Sequence, residues 1–317
     1  MGETILFPDD QHRLLKLGEK ALAKDDFQQA LQYFEDCYQI APEYTVQKRI
    51  LFCLEKLGAY RQGLTMAQDH QEAYDRDPEG VDQLLRLYLL DQQYLTARSY
   101  LVALEKVQPL VAVDFSQWRH QLEHLETSQL FYDPDLATIK REVLRKLDEQ
   151  GLPVAAPAWE NFTNGLTFNC FVSLCSDLLP KINNPFLRPC LVEELLKLGY
   201  QETILIKNLE GVLVEVSLAE EVLPADSHVL TEMLSYLEEV HGQEDPVMAA
   251  AVASEIRAHF AMTFPFSPQA GNPEAWSESY WLEYQVAMGQ ADMAALLPFN
   301  AIQAYKQRLR EKMQGLY

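Results

Sequence analysis

Residues 11–42 decide the fold of this chain, and their sequence is QHRLLKLGEKALAKDDFQQALQYFEDCYQIAP. Leu14, Leu17-Gly18 and Ala21 mark a first helix, and Ala30 with Phe34 mark a second. Small residues in both segments let two antiparallel helices approach closely. Pro42 ends the second helix, because proline lacks an amide N–H and disfavours helix in the residue before it. The stretch therefore predicts a helical hairpin.

The same arrangement recurs twice downstream. The aromatic residues that open each second helix are Phe27, Tyr60 and Tyr94, which lie 33 and 34 residues apart. The small, buried and proline positions follow at matching intervals: Ala30, Gly63 and Ala97; Phe34, Ala67 and Leu101; Pro42, Pro78 and Pro109. The first helices contain, in register, Leu17-Gly18, Ile50-Leu51 and Leu84-Leu85. A period of this length is typical of stacked helical hairpins.

These positions resemble the tetratricopeptide repeat (TPR) family over about residues 11–110. The units span about 11–42, 45–78 and 79–110, within a repeat region at residues 1–112. The first unit matches the motif best. In the second unit Leu51 replaces the glycine, and Pro78 comes a few residues late. The resemblance implies an all-α fold, a TPR-like antiparallel helical-hairpin solenoid (an alpha-alpha superhelix).

In TPR proteins the first helix of each hairpin lines a concave face, where extended or helical peptides lie. The resemblance therefore implies these partner-binding candidates: His12, Leu15 and Glu19; Thr45, Lys48 and Phe52; Asp82, Arg86 and Leu89. Family members that hold a C-terminal carboxylate use a lysine and an asparagine in the first unit, where this chain has Leu15 and Glu19. A carboxylate clamp is therefore not expected. The alternative is a groove filled by the protein's own C-terminal helices.

The rest of the chain is predicted to be mainly helical. Helices continue through 113–150, with Asp133-Pro134 as a helix start and Gly151 as a helix end. A proline-spaced linker then leads into a C-terminal domain at 151–317, with helices at about 185–198, 227–241, 246–262, 272–288 and 291–313. Residues 203–216 predict a β-hairpin, because two β-rich runs flank a short polar loop. The segment from Asn184 onward is also similar to TPR-containing proteins of Gram-positive bacteria.

Composition narrows the class of protein. The net charge is −21, from 47 acidic and 26 basic residues, so the chain's electrostatics oppose binding to nucleic acid and to anionic membranes. The five cysteines form no CxxC pair, which favours reduced thiols. No signal peptide is evident, and no apolar run reaches the length of about 18 residues that a membrane span needs. We expect a cytoplasmic, bacterial protein.

Two other functions remain open alternatives. The sequence His120-Gln-Leu-Glu-His124 has the HxxEH pattern of some zinc hydrolases, in which two histidines on one helical face hold the metal and a glutamate acts as base. The pattern lacks a recognisable third ligand. Residues 174–216 have the helix–helix–hairpin order of a winged-helix module that could act in regulation, but residues 181–216 contain four basic and five acidic residues.

The sequence therefore favours a non-catalytic adaptor or scaffold that binds a partner protein segment on the concave face of its repeats. Motifs typical of nucleotide-binding, kinase or serine-hydrolase sites are missing, so no catalytic residue, metal ligand or cofactor is proposed. The expected partner is a protein or peptide, not nucleic acid or membrane. The sequence does not specify which protein this is, nor the oligomeric state.

Overall fold

The computed structural model describes residues 8–106, 114–132, 135–266 and 272–313. It is predominantly helical, as predicted, and the described residues contain one two-stranded antiparallel sheet. The chain divides into two compact units, one within Met1–Pro134 and Thr163–Phe168 and the other within Asp135–Phe162 and Asn169–Tyr317. The helix that begins at Leu136 thus groups with the second unit, whereas the sequence analysis placed it among helices continuing from the repeats. Pro109 and Asp133-Pro134 lie outside the described residues.

The first unit consists of successive helical hairpins. Its helices are α1 (Pro8–Leu22), α2 (Phe27–Ile40), α3 (Tyr44–Lys56), α4 (Tyr60–Ala67), α5 (Gln71–Arg76), α6 (Pro78–Leu90), α7 (Tyr94–Lys106) and α8 (Phe115–Tyr132). A short 3₁₀ turn, Gln68–His70, joins α4 to α5. Each aromatic residue used to align the repeats begins the second helix of a hairpin, as the sequence predicted.

The three hairpin turns have the same backbone geometry. Asp25, Gly58 and Gln92 have positive φ angles of 56°, 75° and 59°, and they are spaced like the aromatic residues. After each one, an amide N–H bonds back to a carbonyl five residues earlier: Asp26 to Ala21, Ala59 to Leu54 and Gln93 to Tyr88. This is the Schellman pattern, which satisfies the last carbonyls of a helix. Only the second turn uses glycine, so the turn is difficult to recognise from composition.

The second repeat departs from the pattern in its second half. Its helix stops at Ala67, and the chain reaches α6 through the 3₁₀ turn and α5. The sequence analysis took Pro78 as the residue that closes this repeat. The structure places Pro78 at the first position of α6, after the N-cap residue Asp77. Proline is favoured there because its missing N–H would have no partner in the helix, and its φ angle is already helical.

Small and aromatic residues bring the helices of the first hairpin together. Phe34 on α2 is fully buried, and its ring lies against Gly18 on α1. A Cβ atom added at Gly18 would lie 2.7 Å from Phe34 Cζ, which is far inside van der Waals contact. The small positions Ala30 and Ala97 are also buried. Close approach of the helices therefore requires glycine at position 18.

The second unit is mainly helical and contains the predicted β-hairpin. Its elements are α9 (Leu136–Gln150), α10 (Ala156–Thr163), α11 (Phe168–Leu178), α12 (Leu187–Lys197), β1 (Thr203–Lys207), β2 (Leu213–Ser217), α13 (His228–His241), α14 (Pro246–Thr263), α15 (Pro273–Ala287) and α16 (Asn300–Met313), with α10 and α11 at its boundary with the first unit. Gly151 ends α9 with a φ of +64°. The last helix was expected from about residue 291, but Met293–Phe299 is a 3₁₀ segment that contains Pro298.

The hairpin of the second unit is attached through a buried arginine. In β1 and β2 Ile206 pairs with Val214, and Ile204 pairs with Val216. Arg188 on α12 is 4% exposed, and its guanidinium donates to the carbonyls of Lys207 and Met262, at 3.2 and 2.6 Å. The arginine thereby ties α12 to the hairpin and to α14. The indoles of Trp276 and Trp281 lie in the core formed by α13 to α16.

We predict that Gly18→Ala lowers the free energy of unfolding by about 1–3 kcal/mol, because the new methyl group must displace the buried Phe34 ring. The matched control is Gly63→Ala, whose added Cβ would lie 3.4 Å from Leu87 Cδ1, an ordinary contact. Alanine is the better helix former by about 1 kcal/mol, so this variant should be neutral or stabilised. Urea titration followed by circular dichroism measures both, and equal effects would contradict this account of the hairpin.

Candidate partner-binding groove

The first helices of the second and third hairpins form a cleft of about 480 Å³. Its lining residues are Leu22, Thr45, Lys48, Arg49, Phe52, Glu79, Asp82, Gln83 and Arg86. Except for Leu22 at the end of α1, they form four pairs that are 34 residues apart: Thr45 and Glu79, Lys48 and Asp82, Arg49 and Gln83, and Phe52 and Arg86. The cleft is therefore a product of the repeat, because equivalent positions of α3 and α6 face it.

One carboxylate organises the floor between α3 and α6. Asp77 is the N-cap of α6 and accepts a hydrogen bond from the Glu79 amide at 3.2 Å. The same side chain accepts from Lys48 Nζ at 2.6 Å and from the Tyr44 hydroxyl at 2.7 Å. Lys48 also contacts Glu79 at 3.1 Å. A lining residue of α3 is thus fixed by the first turn of α6.

These contacts change the protonation equilibria of the floor. Burial alone raises the pKa of Asp77, but the hydrogen bonds from Lys48 and Tyr44 outweigh it and hold the pKa below its ordinary value. Burial lowers the pKa of Lys48, and its contacts with Asp77 and Glu79 reverse that effect, so the pKa is raised. Burial and the hydrogen bond to Asp77 raise the pKa of Tyr44. Asp77 and Lys48 are both charged near neutral pH.

The remaining cations of the cleft are also paired. Arg49 contacts Glu19 of α1, and Arg86 lies 3.5 Å from Glu55 of α3. The Gln83 side-chain amide is buried and donates to the Lys48 carbonyl at 3.0 Å. Each contact joins one hairpin to the next. The walls of the cleft are therefore the contacts that hold neighbouring repeats together.

Two residues give the cleft its apolar and acidic character. Phe52 is 37% exposed, and its ring packs edge-on against Phe27 with the centroids 6.2 Å apart. Asp82 accepts a hydrogen bond from the indole N–H of Trp118 on α8 at 2.6 Å. In the parts of the chain that the structure describes, no lysine, arginine or histidine lies within ion-pair distance of Asp82. An apolar surface and an uncompensated carboxylate thus line the same cleft.

The predicted partner-binding residues divide into two sets. Five of them line the cleft: Thr45, Lys48, Phe52, Asp82 and Arg86. The others lie elsewhere. His12 is exposed on α1, Leu15 and Leu89 pack against the hydrophobic cores of their hairpins, and Glu19 reaches the cleft through Arg49.

Sequence reasoning missed Leu22, Arg49, Glu79 and Gln83. A signal for three of them was present. The third-unit candidates were not placed 34 residues after those of the second unit throughout, and a strict shift from Thr45 gives Glu79. Arg49 lies four residues after Thr45 on one helical face, and the same shift from Arg49 gives Gln83. Leu22 has no such signal, because it lies outside the face that the period relates.

The other motifs have no comparable setting. His120, Glu123 and His124 are exposed on α8. Across residues 8–106, 114–132, 135–266 and 272–313, no group of three or more potential metal ligands comes together. In the region compared with a winged helix, the side chain of Lys207 donates to the Lys181 carbonyl and to Asn183. With Arg188 buried, two of its four basic residues are engaged by the protein itself.

The second unit has a cavity of its own, about 510 Å³ in volume. It lies beside the hairpin and is lined by Asn208, Leu209, Glu210, Val212, Val214, Thr263, Phe266, Ala301, Tyr305 and Arg308. Arg308 lies 3.9 Å from Glu210 across it. Every helix within the described ranges is too short or too polar to span a lipid bilayer.

Comparison with known proteins agrees with the fold. The chain is 22% identical over 286 residues to the TPR repeat-containing protein YsoA of Bacillus subtilis (strain 168), a match that covers 87% of this chain and 84% of that protein. This chain is a TPR-like protein. No family model matches it, and no solved structure does. The match extends well beyond the three repeats, so the TPR-like chain resembles that Gram-positive protein in its C-terminal unit as well.

We predict that Asp77→Asn lowers the free energy of unfolding by about 1 kcal/mol, because the ion pair with Lys48 is lost while asparagine still caps the helix. Asp77→Ala removes the cap as well and should cost about 1 kcal/mol more. Since the folded pKa of Asp77 is lowered, its stabilisation is complete above the ordinary carboxyl pKa of about 3.9 and disappears as the pH falls through the folded value. Urea titrations across this range should therefore show the parent and Asp77→Asn converging in acid. A difference that is independent of pH would contradict the assignment.

Proposed function

We propose that this chain is a non-catalytic adaptor that binds a segment of a partner protein in the cleft between α3 and α6. The observation that supports this most directly is the origin of the cleft, whose paired lining positions come from successive first helices of the repeat. TPR-like repeats generally mediate protein–protein interactions and are generally non-catalytic. The proposal assigns that role to one defined surface.

The chemistry of the cleft suits a polypeptide ligand. Phe52 and Leu22 offer apolar surface for a side chain, and Asp82, Glu79 and Thr45 offer hydrogen-bond acceptors beside it. Aromatic residues in partly buried positions are those that most often dominate binding energy at protein interfaces. Phe52 is therefore the expected centre of the contact, with the polar residues fixing the orientation of the bound segment.

Photocrosslinking tests the proposal directly. We predict that a photoreactive phenylalanine at position 52, expressed in the native host, forms a covalent adduct with a partner protein at high yield. The matched control is the same amino acid at position 57, where Leu57 is 40% exposed at the end of the same helix but does not line the cleft. Mass spectrometry identifies the partner and the crosslinked segment.

Affinity measurements with the identified partner then separate contact from proximity. Phe52→Ala should weaken binding about 10-fold or more, as expected for a central aromatic contact, while Leu57→Ala should leave the affinity unchanged. Crosslinking at position 57 that equals crosslinking at position 52, or an affinity that is insensitive to Phe52→Ala, would exclude the cleft as the binding site.

A further inference from the structure

The cations of the cleft are already neutralised by the protein. Lys48 lies 2.6 Å from Asp77, Arg49 contacts Glu19, and Arg86 lies 3.5 Å from Glu55. An acidic ligand would have to displace these carboxylates, which also hold neighbouring hairpins together. The cost of breaking such pairs makes the cleft a poor receptor for a carboxylate-rich segment.

The carboxylates of the cleft are less completely compensated. Asp82 accepts its hydrogen bond from the neutral indole of Trp118. Glu79 is 87% exposed and shares Lys48 with Asp77. Nearby Lys56 does not change this balance, because it lies 5.2 Å from the centroid of the Phe52 ring and 3.9 Å from Glu55. Asp82 and Glu79 therefore leave acceptor oxygens and negative charge facing the cleft.

Long-range electrostatics act in the same direction. The chain has a net charge of −21, which attracts cationic partners and accelerates their association at low ionic strength. The apolar contribution comes from Phe52 and Leu22, which line the cleft together with the two carboxylates. The surface thus combines an aromatic contact with sites for positively charged donors.

We propose that the segment bound in the cleft is basic, with lysine or arginine side chains next to an aromatic or aliphatic residue. This inference rests on the proposed function, because it specifies the chemistry of the ligand for the same cleft. The apolar residue packs on Phe52 and Leu22, and the cationic side chain donates to Asp82 and Glu79. Arginine suits these carboxylates best, because its planar fork can bind both oxygens of one group.

Random-sequence peptides displayed on phage provide a probe that needs no known partner. The full chain is immobilised, and peptides are kept only if their binding is lost with Phe52→Ala. We expect these peptides to be enriched in Lys and Arg next to a large apolar residue. Their affinity should fall as the salt concentration rises, because exposed charge pairs are screened.

Two double variants test the role of the carboxylates. Asp82→Asn with Glu79→Gln removes two charges but retains an oxygen that can accept from Trp118 and Lys48. It should weaken the selected peptides roughly 5- to 20-fold, since each partly exposed ion pair contributes up to about 1 kcal/mol. The matched control is Asp69→Asn with Glu72→Gln, which removes two exposed charges on the segment between α4 and α6. Glu72 is 87% exposed, like Glu79.

The outcomes distinguish this inference from the proposed function. Peptides that depend on Phe52 but are acidic or neutral, or that bind both double variants equally, would overturn the inference and leave the cleft as a binding site. Failure to obtain any peptide that depends on Phe52 would contradict the proposed function, and the inference with it. Unchanged circular dichroism spectra and melting temperatures establish that the variants are folded.

Discussion

A two-helix hairpin cannot cover its own apolar side chains, and only a neighbouring hairpin can do so. The first unit of this protein is organised by that constraint. Within a hairpin, Gly18 lets the helices approach until the Phe34 ring is fully buried. Between hairpins, Lys48 reaches the cap of the next first helix, and Gln83 reaches back to the Lys48 carbonyl. Because stacking repeats the same geometry at each step, it also aligns equivalent side chains on one face, and the cleft is the result.

Much of this fold could be predicted because periodicity reports which side chains are buried. The aromatic residues at 27, 60 and 94 located every hairpin of the repeat region, and the β-rich runs located the hairpin at 203–216. The parts that escaped prediction depend on local backbone chemistry. Pro78 can end one helix or begin the next, and the choice depends on whether Asp77 caps α6. The 3₁₀ segment before α16 likewise follows from Pro298, whose effect on helix type depends on its neighbours.

The candidate site was predictable only in part, for a related reason. Family resemblance indicates which helices face the groove, and this brings Lys48, Phe52 and Asp82 to one surface. It does not indicate which side chains are occupied by the protein itself. From the sequence, Lys48 and Arg86 are two cations available to a ligand; in the structure each has a carboxylate partner. Pairing of this kind depends on distances between helices that are 30 or more residues apart in the chain, which no local pattern encodes.

The ion pairs that line the cleft have a consequence for how binding would proceed. Long basic side chains lose considerable rotational freedom when a ligand immobilises them, and that loss opposes association. Here Lys48, Arg49 and Arg86 are tethered to carboxylates in the unliganded chain, so their freedom is given up during folding. A bound segment would meet a surface whose shape and charge are set in advance. Recognition would then resemble the docking of a flexible strand on a rigid template, with selectivity determined by the spacing of fixed groups.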